Sequence, residues 1–456
     1  MRKKTLISIL IISSSLLMNS SVSKKISKKI IVASSGKIES LDPARANTLK
    51  AIQLISSLGD TLYELNSDGD LIPELASGMP SISKDRLRVT INLKKNVLFH
   101  DGTPFNSDSI KFTFERFKRI GTLNYILGDK IESIETPSEY KVIINLKKPS
   151  SSLNGLLTSV NLTPISPTFY KEYSDKFLND KFVGTGKYVL NSFSNEFQSI
   201  DPNLDYWGKK PLNEGINFVG YSNSSSLFGA LKSNQIDVLL SNSIDDSQRN
   251  SLKTLSNANS FKEGNSPFTE LSFISLRTNV YPLNNPNLRL ALAKSLNRKL
   301  ISEKVSYGLR KPTRSIIPPI LKKDNQNLWP KYDYLEARKL LQKENYCNGN
   351  ILKIPLTYRS NVPADKLIAL TWQEEIKNEL KDCIDIELNG VESTTVYKNL
   401  SLGIYTAVIL DWTGAYSDPE AYLTPLLSCK EIVDGTCRKG ESVYSGSFWG
   451  SKKVES

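Results

Sequence analysis

The feature that most constrains this chain is an alternating text that occurs twice. Residues 88–95 and 141–148 share Val-x-Ile-Asn-Leu-Lys-Lys, and around the first copy Leu87, Val89, Ile91 and Leu93 fall on one face while Arg88, Thr90 and Asn92 fall on the other. A period of two marks a strand buried on one side, so both segments are expected as strands of one sheet. Chance likeness between two amphipathic strands explains the shared text without a duplication. An apolar sheet face must be covered, and helical periodicity supplies the cover. Ser107 is placed to cap a helix bearing Ile110, Phe114 and Phe117, and Asn285-Pro286 to open one bearing Leu288, Ala291, Leu292, Ser295 and Leu296. Asp333 can cap a third through Leu340 and Leu341, and Pro363-Ala364 starts a fourth with Leu367, Leu370 and Ile376. Further strands are expected at 384–388 and 405–410. Helices follow strands at crossover spacing without a Pro- or Ser-rich linker, which reads as a mixed α/β chain, and 456 residues suffice for several domains.

Charge and cysteine usage narrow the setting. The net charge is +12, yet seven of the 59 basic residues lie among the first 29 positions, where there is no acid, so the remainder carries only about +5. That is too mild for a nucleic-acid partner. The N-terminus reads Met1-Arg2-Lys3-Lys4 and then an apolar stretch to Met18, too short for a bilayer span. Residues 1–23 are therefore expected to be a secretory signal peptide, with an uncleaved anchor as the alternative. Export suits Cys347, Cys383, Cys429 and Cys437. Proximity favours pairing 429 with 437 and, by elimination, 347 with 383, although four cysteines allow three pairings and four reduced thiols also satisfy the sequence.

The usual catalytic texts are missing. One histidine, His100, makes multi-histidine metal sites impossible and leaves a hydrolase triad only this imidazole. The stretch Gly184-Thr185-Gly186-Lys187 departs from a phosphate loop, because Lys181 stands where its first glycine belongs and Tyr188 where its hydroxyl residue belongs. Residues 66–70 are oxygen-rich, but Gly69 comes too early for a calcium loop and Pro73 interrupts it, so a turn at Asp68-Gly69 is expected. Carboxylate pairs such as Asp411 with Asp418, or Glu374 with Glu375, define no acid and base roles by sequence. No catalytic residue, metal site or cofactor is expected.

Ten short stretches, in order, resemble one family. They are Leu41-Asp42-Pro43-Ala44-Arg45, Leu62-Tyr63-Glu64, Pro73-Glu74-Leu75-Ala76, residues 93–102 ending in Phe99-His100-Asp101-Gly102, and Phe112-Thr113-Phe114-Glu115-Arg116. Next come Gly184-Thr185-Gly186-Lys187-Tyr188, Asp205-Tyr206-Trp207, Asn287-Leu288-Arg289-Leu290-Ala291, residues 334–341, and Asp411-Trp412-Thr413-Gly414-Ala415-Tyr416-Ser417-Asp418-Pro419. Together they resemble the extracytoplasmic solute-binding proteins of ABC importers, in the dipeptide, oligopeptide and nickel-binding family.

The resemblance implies a type II periplasmic-binding-protein fold, two α/β lobes around a ligand cleft with an additional α+β domain inserted in the first lobe. On this chain the first lobe would take residues 30–60 and 182–270, the inserted domain 61–181 and the second lobe 271–456. It implies a monomer in the periplasm or cell envelope that captures a peptide or other small solute for a membrane-embedded ABC permease with ATPase subunits. Peptide-binding members hold the ligand's α-amino group with the Asp of a Trp-x-x-Asp text; here Trp412 is present but Ala415 occupies the acidic position. The implied ligand-binding residues are Trp412, Thr413, Ala415, Tyr416 and Asp418 from the second lobe, and Thr48, Leu49, Ser241 and Asn242 from the first. The resemblance also implies further closing segments after residue 456, so the second lobe is expected to be C-terminally incomplete. A truncated, non-binding remnant and a secreted hydrolase using Asp411 or Asp418 are the competing expectations.

Overall fold

The two strands with the shared text lie side by side. In the computed structural model, strands Arg88–Asn92 and Lys141–Leu146 pair antiparallel, Thr90 opposite Ile143. Ser81–Ile82 and Ile131–Ser138 complete this middle sheet in the order 81–82, 88–92, 141–146, 131–138. The structure describes residues 29–451 except 36, 47, 67–68, 123, 241–243, 259, 265–268, 314 and 322–328. The expected signal peptide, 1–23, lies outside the described residues.

The helix Ser107–Ile120 covers the middle sheet with Ile110, Phe114 and Phe117 buried. Its cap is Asn106 rather than Ser107: Asn106 accepts from the Ser109 amide, Ser109 reaches back, and Ser107 donates instead to the Ser138 carbonyl at 2.8 Å. The turn around Gly69, with φ +82°, joins the short strands Tyr63–Leu65 and Leu71–Pro73, while Asp68 lies outside the described residues.

A first sheet forms from distant parts of the chain. Strand Ile30–Ser35 sits between Val238–Leu239 and Ile216–Tyr221, parallel to both, and antiparallel Phe197–Pro202 and Tyr188–Phe193 extend it. The chain thus leaves this sheet after Ser35, builds the middle sheet and returns at Tyr188. Gly184–Gly186 leads into a strand, not into the helix a phosphate loop requires.

The last sheet runs in the order Glu270–Leu276, Ala407–Thr413, Leu352–Arg359, Ile384–Val391, parallel except for its first strand. Helix Pro363–Glu379 packs on it through Ile368, Ala369, Trp372 and Ile376. Leu367 and Leu370, expected in that stripe, are exposed. The buried set recurs every three or four residues from Asp365, and one step of 100° turns its neighbours outward. Leu296 is the C-cap of its helix and only partly buried. The last-sheet strand begins at Ala407, whereas Tyr405 packs with Val396, Leu400 and Val408 on the other face. Cys347–Cys383 ties the entrances of two neighbouring parallel strands, and Cys429–Cys437 closes the hairpin Glu431–Val433 with Thr436–Lys439.

Two joints hold the parts together. Between the first and middle sheets, Arg116 grips the buried Asp42 through two hydrogen bonds of 2.8 and 2.5 Å, and Asp42 also accepts from the Ala44 and Leu178 amides. At a separate point between the same two cores, Asp60 accepts from Thr185 Oγ1, Trp207 Nε1 and Tyr206 Oη at 2.9–3.0 Å. His100 lies here too, its Nε2 3.1 Å from the Gly186 carbonyl. On the other side, Glu420 after the last sheet pairs with Lys130 of the middle domain, and Arg310 with Asp246 at 2.9 Å. Among the described residues no helix is long and apolar enough to cross a membrane.

Candidate ligand-binding cleft

Strand Ala407–Thr413 is apolar where it is buried and polar where it emerges. Ala407 to Leu410 fill both faces of the last sheet, and then Asp411, Trp412 and Thr413 reach its carboxyl edge, where open α/β sheets bind ligands. Trp412, half-buried, donates from Nε1 to the Ala421 carbonyl at 2.9 Å. Gly414 is needed at this bend, because a Cβ there would stand 2.7 Å from the Tyr422 ring. Thr413 and Ala415 are exposed.

The rest of the loop turns towards the middle domain. Tyr416 packs against the core built on the middle sheet, and the backbone at Ser417 lies so near Gly155 that a Cβ there would meet it at 2.9 Å. Asp418 is half-buried and accepts from the Glu420 amide at 2.8 Å, which shapes the turn into helix Glu420–Leu427. Burial, with Glu420 adding to it, raises its carboxyl above the ordinary range.

The carboxyl edge carries a cluster that sequence reasoning did not assemble. Arg359, at the end of its strand, donates to Asp365 from Nε at 2.7 Å and to Asp411 from both terminal nitrogens at 2.8 and 2.9 Å. It also donates to Tyr397 Oη at 2.6 Å, and Tyr397 donates in turn to Asp411. Burial alone would lower the guanidinium, but Asp365 and Asp411 override it and hold it above its ordinary value. Two carboxylates face one cation, and Asp411 keeps 37% of its side-chain surface open. The only sequence signal was a charged residue closing an alternating strand just before Pro363.

From the first sheet, Thr48 caps helix Leu49–Leu58 by accepting from the Ala51 amide, and Leu49 is exposed. Ser241 and Asn242 lie outside the described residues, but Leu240 beside them lines a cavity with Ser34, Lys50, Gln198 and Gly220. Ser34, Gly220 and Leu240 set this small cavity at the carboxyl ends of parallel strands of the first sheet, beside the helix that Thr48 caps. Among the described residues no group of three or more acidic, cysteine or histidine side chains is placed to hold a metal ion.

Comparison with known proteins agrees with this architecture. The family description "Bacterial extracellular solute-binding proteins, family 5 Middle" matches residues 70–434. The glutathione-binding protein GsiB of Escherichia coli O6:K15:H31 (strain 536 / UPEC) is 26% identical over 434 residues, covering 94% of this chain and 82% of the relative. Among solved structures, NikA from Brucella suis in complex with Fe(III)-EDTA superposes with a TM-score of 0.78 at 22% identity, over 88% of this chain and 82% of that one. The periplasmic binding protein DppA from Helicobacter pylori, in complex with the peptide STSA, gives 0.69 at 24% identity, over 87% and 80%. At these identities the structural likeness establishes the fold, the type II periplasmic-binding arrangement.

Proposed function

The chain belongs to the bacterial extracellular solute-binding proteins of family 5, which are binding proteins and not enzymes, and we propose that it captures a short peptide or similar small solute between two lobes for an ABC importer. The first lobe is 30–60 with 182–270, the inserted domain 61–181 and the second lobe 271 onward; residues 1–23 direct export. The monomer delivers its solute to a membrane-embedded permease with ATPase subunits. Such a receptor works by differential binding, since a solute touching both lobes stabilises only the closed arrangement.

The observation that carries this reading is the open edge of Asp411 beside Trp412. Ala415 offers no charge, but Asp411 presents a carboxylate already oriented by Arg359 and Tyr397, in a cluster with one anion in excess. A ligand ammonium there gains a charge-assisted hydrogen bond at little ordering cost, and Trp412 supplies an apolar wall. The test is a thermal melt with pools of short peptides, free or N-acetylated, and with glutathione as a separate probe. A ligand that binds the folded state raises the melting temperature by mass action. Free peptides are expected to raise it and acetylated ones not. Trp412→Ala is expected to weaken binding more than Asp418→Ala, because Asp418 is engaged with its own turn. Equal losses would make Asp418 an anchor, and no loss at Trp412 would move the cleft elsewhere.

A further inference from the structure

The loop that leaves the carboxyl edge of the last sheet is seated on the middle domain by three kinds of contact. The first is electrostatic. Lys130, directly before strand Ile131–Ser138, donates to Glu420 Oε1. Ser152, fully buried, also donates to the Glu420 carboxylate, and Lys148, which follows strand Lys141–Leu146, adds a second positive charge. Ile131 pairs with Leu146, so both lysines stand at one end of the middle sheet. Lys130 acts on Asp418 as well as on Glu420. Burial alone would raise the Glu420 carboxyl, but Lys130, Ser152 and Lys148 override it and hold it below its ordinary value.

The other two contacts are steric and apolar. Gly155 lies so close to the loop that a Cβ there would meet the Ser417 carbonyl oxygen at 2.9 Å and the Asp418 Cβ at 3.1 Å. Tyr416 packs against the core built on the middle sheet. All three therefore fall between Tyr416 and Glu420, on the stretch that follows Trp412, and their partners come from a part of the chain that shares no sheet with it. Lys130 is nearly enclosed and Glu420 partly open, and a complementary pair in that situation fixes the register of two surfaces more than it adds stability.

We infer that Lys130 is a positioning residue for the cleft: by clasping Glu420 it holds the loop from Gly414 to Pro419 against the middle domain, so the inserted domain orders the wall on which Trp412 stands. The inference rests on the reading that this edge binds the solute, and it gives the inserted domain a part in capture. Because the clasp joins two domains, seating the second lobe and ordering its loop are one event.

The test reads hydrogen exchange at the backbone amides of residues 414–422 in the ligand-free exported chain, where Asp418, Ala421 and Tyr422 donate within the loop. Lys130→Glu sets a third carboxylate against Asp418 and Glu420. It is expected to speed exchange there about tenfold while strand Lys141–Leu146 stays as protected as in the wild type. Lys130→Arg, and Lys130→Glu combined with Glu420→Lys, are both expected to restore protection. Gly155→Ala changes no charge and is expected to loosen the same loop by lifting it off its seat. Lys130→Gln gives the same comparison should charge reversal unfold the middle domain. Unchanged loop exchange in both Lys130→Glu and Lys130→Gln overturns the clasp. Capture is read separately, by melts with free short peptides, where Lys130→Gln is expected to need about tenfold more peptide for the same shift. Equal shifts in wild type and Lys130→Gln would show that Lys130 positions nothing for the solute, while the peptide reading stands. If the peptides shift neither protein, the peptide reading falls, and the exchange data still decide whether Lys130 orders the loop.

Discussion

Among the described residues Arg116 and Arg359 are the two most deeply buried arginines, and they sit in opposite situations. Arg116 closes on Asp42 inside the joint between the first and middle sheets, with 2% and 0% of the two side chains exposed. Its Nε and Nη2 also donate to the Tyr173 and Lys176 carbonyls, and its burial closes the group to a ligand. Arg359 is as well satisfied, but one of its partners, Asp411, stands at a strand end facing solvent. The first pair is sealed and serves assembly; the second is held rigid on one side and left open on the other, as a recognition group requires. The family text follows the first pattern more than the second. Leu41 to Arg45 and Phe112 to Arg116 meet at Asp42, and Gly184 to Gly186 and Tyr206-Trp207 meet at Asp60, all far along the chain from Asp411.

The comparison breaks most readily at its acidic partners. Asp42→Asn leaves Arg116 buried without a counter-charge and is expected to cost roughly 3–5 kcal/mol of unfolding free energy by urea denaturation. Asp411→Asn leaves Arg359 paired with Asp365, and water can reach the altered group, so about 1 kcal/mol or less is expected together with loss of solute binding. Equal stability losses would mean that Asp411 is a structural group and not an open recognition edge.

A smaller effect is expected from Glu74, at the joint. Burial first, then the Asp60 charge and a shared hydrogen bond with Glu64, push its carboxyl up to about 9, while Thr61 donates to it from both backbone and side chain. Asp60 is likewise raised, by burial above all, and Tyr206 faces the same group. A folded pKa above the unfolded one means that the folded state binds the extra proton. The stabilisation is complete below about 4.5 and fades as pH rises through about 9. Glu74→Gln keeps the neutral form and should flatten the alkaline fall of melting temperature between pH 5 and 9, measured by thermal scans across that range; an unchanged slope would place the proton elsewhere.

The smallest expected effect is at His100. Burial lowers its imidazole despite the Gly186 carbonyl and Asp101, and its Nδ1 is buried without a hydrogen-bond partner. The sign is opposite to that of Glu74: the stabilisation is present above the ordinary histidine value, about 6.5, and is lost as pH falls through the depressed folded value. His100→Gln should therefore soften the acid limb of the stability profile and leave the neutral region unchanged. A histidine that titrates normally by NMR would show that the joint admits water.

Much of the local structure was legible in the chain because local physics decides it. The alternation at 88–92 and 141–146 specified a common buried face, and the two strands do pair. Asn285 and Asp333 cap their helices because a short polar side chain can satisfy an amide two or three residues on. The nearest cysteines pair across a hairpin. Legibility failed where several periodic assignments compete. Leu367 and Leu370 look like core residues, yet the stripe through Ile368, Trp372 and Ile376 is the one that meets the sheet. Asn106 and Ser107 are both competent caps, and the Ser138 carbonyl captures Ser107.

The sequence by itself determined the α/β alternation, the strands near 88–92, 141–146, 384–391 and 407–413, the helices opening near 107, 286, 334 and 363, and the order of stretches that marks the family. Those depend on contacts within a turn or a few residues, whose energetics travel with the local text. Only the tertiary structure decided which charges are sealed and which stay open. The Arg359 cluster draws on positions 359, 365, 397 and 411, from elements that meet only after the sheets are built. A charge becomes a binding group or a structural one through its desolvation and the partners left to it, and both are properties of the folded surroundings rather than of the residue.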